Sequence, residues 1–271
     1  MCENVPNFVN WYCKTPAVLH YESTWTLFRT GEEWVNMFGR YNSGTYNNQW
    51  SVLDWKKFSP GKELPNEGVL WISEQTPGYY ETRDMTWYLK EFKYWPSYNI
   101  PFLPKVSKRS GFDEKARTAA WWTWGSSPRA NIFDRDHEKV TDIDSLTKLM
   151  RYNDYQHDEF ARCNCTPKPY TGEGGISARG DLNVPGGHYE VESMGFRDHA
   201  GLDYKGTNYE MFKKLRFRAW GGPTNDQQPT FSWLNTNITG VRHFGQPDTW
   251  NFTYIDLEWE LKTEVLLSDD Q

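Results

Sequence analysis

Apolar residues return at steps of seven, four and three from Leu27 through Trp34 and Phe38 to Tyr41. That spacing is one face of a helix, predicted from Thr24 onward, in which Gly31 introduces a break or a division into two shorter helices. Asn42, Ser43 and Gly44 then turn the chain into a strand over QWSVLDW (49–55), and VLWISEQ, Val69–Gln75, follows a Pro and Gly loop as its antiparallel partner. Asp84 has the side chain of an N-cap and precedes a helix with Met85, Leu89 and Phe92 on one face. Lys105–Lys115 reads as a basic exposed loop, Glu114–Trp124 as helical, and Asp144 as the cap of a short helix through Leu146, Leu149 and Met150. The stretch Cys163–Gly187 is loop-like, with Pro167, Pro169, Pro185 and six glycines. A helix with Tyr209, Phe212 and Leu215 follows Asn208. The clearest strand pattern comes near the end, where Thr253, Ile255, Leu257, Trp259 and Leu261 alternate with Tyr254, Asp256, Glu258 and Glu260, as in a half-buried strand.

Residues 1–23 show no period and read as an irregular lead-in, and 263–271 read as an acidic, frayed tail. No internal repeat, low-complexity tract or dividing linker separates 24 from 262, so this span is expected to be one α+β domain or part of one.

Composition changes the picture in two respects. Of the 271 residues, 17% are aromatic, a large apolar payload suited first to core packing and second to flat or apolar ligands. The net charge is −6, from 30 basic and 36 acidic residues spread along the chain, which argues against nucleic acid as the partner. The longest aromatic cluster, Ala119–Trp124, is far short of the roughly 20 apolar residues of a membrane span. The amino terminus has neither the basic start nor the apolar run of a secretory signal. Asn237 (NIT) and Asn251 (NFT) are nevertheless glycosylation sequons. With four cysteines, a disulfide framework is not what holds the fold, and a zinc site at Cys163 and Cys165 would need two further ligands nearby. The six histidines form no ligand-spaced cluster, so no metal or organic cofactor is expected. The triplet Arg179, Gly180 and Asp181 matches an integrin-binding signal, but a tripeptide is nearly uninformative by itself.

The candidate chemistry sits in WPSYNIP, where Asn99 lies on backbone clamped by Pro96 and Pro101. A polar donor on a stiff segment is what a pre-organised hydrogen-bonding site needs. Arg129, directly after Pro128, is a second polar group on a restrained turn. The plainer reading of the pair is a turn residue and a surface ion-pair partner.

Four strings, YNSGTYNNQW, WPSYNIP, SSPRANIF followed by LMRYND, and GGISARGDLN with HFGQPDTWNF, together resemble the carboxy-terminal part of the phospholipase B-like proteins, the lysosomal and secreted group that includes the lamina ancestor proteins. The likeness runs in order from about Trp34 to Phe252. It implies an α+β fold of the four-layer αββα N-terminal-nucleophile hydrolase type, with this chain as its carboxy-terminal portion. It also implies an acyl hydrolase acting on phospholipid esters or amides, in which a cysteine exposed by precursor cleavage attacks and its own α-amine serves as base. On this resemblance Asn99 donates to the oxyanion, while Arg129 sits beside the thiolate and orients the amine. Asn47 and Asn48 are candidates for a second donor, or serve only to satisfy backbone at the start of a strand. The family nucleophile lies upstream of YNSGTYNNQW, and neither Cys2 nor Cys13 stands in its context, so it is expected on an upstream fragment or subunit. The family's disulfide joins cysteines with two residues between them, where Cys163 and Cys165 have one. The resemblance further implies a lysosomal or secreted location. The alternatives are a catalytically inactive lipid- or carbohydrate-binding or structural subunit, and, on Trp content and short strands, a carbohydrate-binding β-sandwich.

Overall fold

Why the first predicted helix begins where it does is legible in the computed structural model, which describes residues 29–40 and 42–258. Helix α1 spans Gly31–Arg40. Thr30 Oγ1 accepts the Glu33 N–H at 3.1 Å, Glu32 and Glu33 occupy the first turn and Arg40 the last, each suited to the helix dipole. The described helix thus begins at Gly31, where a break was expected, and the residues before 29 lie outside the described ones. Gly39 is needed for contact: a Cβ there would lie 2.1 Å from Tyr80 Cδ2. Thr24, Leu27 and Tyr41, the ends of the predicted stripe, lie outside the described residues, as do the lead-in, Trp259, Leu261 and the acidic tail.

Strands β1 (Gln49–Leu53), β2 (Leu70–Thr76) and β3 (Tyr79–Asp84) form an antiparallel sheet in that order, with Gln49 opposite Glu74 and Thr76 opposite Tyr79. The YYETRD segment of β3 carries no apolar alternation, which is why pattern alone missed it; its pairing comes from the tight Pro77–Gly78 turn, with Gly78 at φ +74°. Asp84 ends this strand. Its carboxylate still serves the next helix, α2 (Thr86–Phe92), by accepting the Thr86 N–H at 2.8 Å, with Met85 in the cap position.

Both faces of β2 are covered. Leu70 and Ile72 pack with Met85, Tyr88, Leu103 and Val106, whereas Trp71 on the opposite face joins Trp34, Val35, Phe38, Trp50 and Val52. Each such buried side chain contributes about 1.5–3 kcal/mol of transfer free energy. The segment expected as a basic exposed loop is instead α3 (Pro104–Ser110) and the single turn α4 (Phe112–Lys115), joined at Gly111 with φ +78°. Proline at the helix start and buried Val106 set this conformation, and the basic residues occupy the outer side. Beyond Lys115 the helical expectation fails except for one turn at Ala120–Trp122.

By its internal contacts the chain divides into Met1–Ala130 and Asn131–Gln271, the boundary falling in helix α5 (Pro128–Asp136). In the second unit α6 (Ile143–Met150) is capped by Asp142 in a reciprocal box with Ser145. Asp144, the expected cap, is instead the second residue of the first turn and pairs with Arg218. Residues 151–202 contain three-residue turns and isolated bridges, in keeping with the loop-like reading of 163–187, and are fastened by buried polar groups. Asn153 Nδ2 donates to Gly172 O and Ser177 O at 2.9 and 2.7 Å, and Asn183 Nδ2 to Met194 O at 2.8 Å. Arg179, 1% exposed, forms a two-pronged ion pair with Asp181 at 2.8 Å and donates to Thr224 O and Pro229 O. The integrin-type reading is thereby excluded, since its arginine is inside the protein. Cys163 and Cys165 are disulfide-bonded.

Strands β4 (Asp203–Gly206), β5 (Phe217–Gly221) and β6 (Ile255–Leu257) form the second antiparallel sheet, with α7 (Tyr209–Lys213) capped by Asn208 between the first two. The half-buried reading of the last strand fails: Ile255 is 57% and Leu257 39% exposed. Its alternation is real, but the described residues place no apolar layer over that face of edge strand β6. No helix among the described residues is long and apolar enough to cross a membrane.

Candidate active site

The WPSYNIP loop is held by its aromatic residues. Trp95 meets Phe102 edge to face at 5.2 Å, and Tyr98 lies over Trp124 at 6.0 Å. The Tyr98 hydroxyl accepts the Gly125 N–H at 2.9 Å, and burial pushes its pKa far above the ordinary tyrosine value. Tyr98 and Ile100 are buried, so the intervening Asn99 is turned outward, with φ +61°. Left-handed backbone costs an ordinary L-residue roughly 1–2 kcal/mol, and asparagine is among the few that adopt it routinely.

Arg129, in the first turn of α5, donates from Nη1 to Asn99 Oδ1 at 2.8 Å. A guanidinium has only donors, so this contact fixes which end of the amide is which. Asn99 Nδ2 makes no hydrogen bond to any described residue, and Asn99 lines a cleft of about 340 Å³ together with Asn47, Asn48, Gln49, Glu74 and Thr76. The geometry therefore offers an amide donor whose acceptor end is already engaged. Arg129 reaches this cleft through Asn99 and does not line it.

The two other asparagines differ. Asn47 closes the 42–47 turn from both ends, accepting from Asn42 Nδ2 at 2.9 Å and donating to Gly44 O at 2.8 Å. Asn48 is exposed and engages the sheet through its backbone oxygen, which accepts the Gln75 N–H at 3.2 Å, while its side-chain amide bonds to none of the described residues. Of the pair, Asn48 has the amide available to a ligand.

Sequence reasoning missed Glu74. It is 2% exposed at the cleft wall, where Oε1 accepts from Gln49 Nε2 at 2.5 Å and Phe102 N at 2.6 Å, and Oε2 from Leu103 N at 2.8 Å. Burial raises its pKa above the carboxylate norm; the Phe102, Leu103 and Gln49 donors oppose that rise and Glu81 adds to it. The signal was present: in VLWISEQ the core-facing positions are 70, 72 and 74, and the third is a carboxylate.

No cluster of three metal-ligating side chains occurs among the described residues. The cysteines among them, Cys163 and Cys165, are bonded to each other, so the described cleft holds no free thiol. The sequon residues Asn237 and Asn251 are both exposed.

Comparison with known proteins adds what geometry does not. A family profile described as Phospholipase B matches residues 22–257. The chain is 78% identical over 242 residues to a Caenorhabditis elegans protein named "Putative phospholipase B-like 3", covering 89% of this chain and 42% of that one. It is 45% identical over 232 residues to the Bos taurus protein named "Putative phospholipase B-like 2", and 43% identical over 236 residues to its Homo sapiens namesake, covering 85% and 86% of this chain and 39% and 40% of theirs. The chain thus spans about two-fifths of the length of these relatives.

Proposed function

Because this chain belongs to the phospholipase B-like family, we propose that its Asn99 cleft is the oxyanion-binding wall of an acyl hydrolase. The observation that carries this reading is the Arg129 to Asn99 bond, which occupies Oδ1 and leaves Nδ2 as a fixed donor. The nucleophile is a cysteine contributed by a segment upstream of this chain, whose α-amine removes the thiol proton. Thiolate attack on the acyl carbonyl forms a C–S bond and places negative charge on oxygen, which Asn99 Nδ2 and a second donor, Asn48, receive. Collapse expels the alcohol or amine with the proton held by the α-amine. Water then attacks the thioester, gives its proton to the same amine, and releases the fatty acid and the thiol. Arg129, besides orienting Asn99, supplies the positive charge that favours a nearby thiolate.

In this reading the full-length fold is of the four-layer αββα type, completed by the upstream segment, and the substrate is a phospholipid ester or related amide. The protein works in the lysosome or outside the cell, with glycans on Asn237 and Asn251. The test uses the full-length protein with its upstream segment. It should release fatty acid from phospholipid, in a manner blocked by thiol reagents and by Asn99→Ala. Activity that persists in Asn99→Ala defeats the assignment, and bound but unhydrolysed lipid would favour a non-catalytic binding protein instead.

A further inference from the structure

We propose that Glu74 is the positioning residue of the Asn99 donor, tying the two chain segments that form the cleft to one carboxylate. The inference rests on the hydrolase reading for its functional consequence, and on geometry alone for the tie itself. Gln49, which directly follows Asn47 and Asn48, donates to Oε1; Phe102 and Leu103, which directly follow the Asn99 loop, donate to Oε1 and Oε2. All three donors are neutral amides, and none of these hydrogen bonds to Glu74 comes from a cation.

A buried carboxylate without a cationic partner is costly, and a well-packed apolar side chain could fill the same place in the core without that cost. What the carboxylate alone provides is two oxygens that accept from three directions at once. Asn99, three residues before Phe102, holds left-handed backbone while exposed, so its conformation must be imposed from its flanks. On one flank Tyr98 is anchored to Gly125; on the other, Glu74 fixes the chain just past Pro101. Glutamine at 74 would present an N–H group where a backbone N–H already points, and at least one of these bonds would be lost.

The experiment compares Glu74→Gln, Glu74→Asp and the double variant Glu74→Gln/Asn99→Ala in the full-length protein, reading fatty-acid release and amide hydrogen exchange. Glu74→Gln should lower kcat by about 10²-fold with KM nearly unchanged, the loss expected for a displaced catalytic group. Glu74→Asp, which keeps both oxygens, should recover part of it. The double variant should be slower than Asn99→Ala alone by less than the full Glu74→Gln loss, because Glu74 acts mainly through Asn99 and otherwise through the Asn48 segment. Exchange at Phe102 and Leu103 should quicken by about tenfold or more in Glu74→Gln while α1 amides stay as they were. Wild-type kcat in Glu74→Gln, or losses that multiply in the double variant, would overturn the proposal. Should the wild type release no fatty acid, the hydrolase reading fails, and the exchange arm then decides: unchanged protection at Phe102 and Leu103 refutes the tie and faster exchange supports it. If Glu74→Gln does not fold, Glu74→Asp is measured in its place: a lowered kcat with faster exchange at Phe102 and Leu103 supports the proposal, and wild-type values of both overturn it.

Discussion

Replacing Asn99 by aspartate separates the donor from everything else the residue does. Aspartate has the same shape, tolerates φ +61°, and keeps an oxygen for Arg129 Nη1, now as an ion pair. Asn99 is exposed, so that pair is worth about 0–1 kcal/mol and the fold should be as stable as before within about 1 kcal/mol. What disappears is the Nδ2 donor, and a negative charge stands where the oxyanion would form. Removal of one oxyanion donor costs roughly 10²–10³ in kcat, or about 2.7–4 kcal/mol of transition-state stabilisation, and the added charge makes this a lower bound. The assay is kcat and KM for fatty-acid release by the full-length protein, beside urea unfolding of wild type and variant. Loss of kcat at unchanged KM and stability is the expected result. If Asn99→Asp keeps its kcat within about tenfold of wild type, Nδ2 is not the oxyanion donor; if only KM rises, Asn99 binds substrate without entering the chemistry.

Other expectations follow from individual polar groups. Asp181→Ala strands the Arg179 guanidinium, 1% exposed, and should destabilise the second unit by about 3–5 kcal/mol in denaturant titration, with Arg179→Met/Asp181→Ala costing less than the two single changes summed. Glu74 binds its proton more tightly folded than unfolded, because burial raises its pKa above the ordinary 4.5. Its contribution to stability is therefore fully present below 4.5 and is lost as pH rises through the raised value, and unfolding midpoints of Glu74→Gln across that window should lack this slope. Asp256 behaves oppositely: hydrogen bonds from Arg218 lower its pKa below 3.8, so its stabilisation holds above 3.8 and fades as pH falls through the lowered value, which Asp256→Asn should abolish in acid titration. Expressed through a secretory pathway, the protein should lose mass on glycosidase treatment, and Asn237→Gln/Asn251→Gln should be insensitive to it.

Local chemistry determined much of this protein without coordinates. The 3.6-residue stripe of Trp34 and Phe38, the strand runs at 49–53 and 70–76, the Asn208 cap and the α+β class all follow from side-chain period and capping, which act over a few residues. The motif strings that mark the family lie in the linear sequence, and among them WPSYNIP singled out Asn99. Tertiary structure decided what depends on distant partners. Strand β3 has no pattern of its own and exists because β2 lies beside it, and 104–110 became a helix because Val106 had a core to enter. The meaning of Arg179 reversed once its carboxylate and carbonyl partners closed around it. Glu74 looked like an ordinary strand residue until chain from 49 and from 102–103 converged on it. Hydrogen bonds between residues decades apart in sequence leave no periodic trace, so a site built from them becomes visible only when the chain has folded.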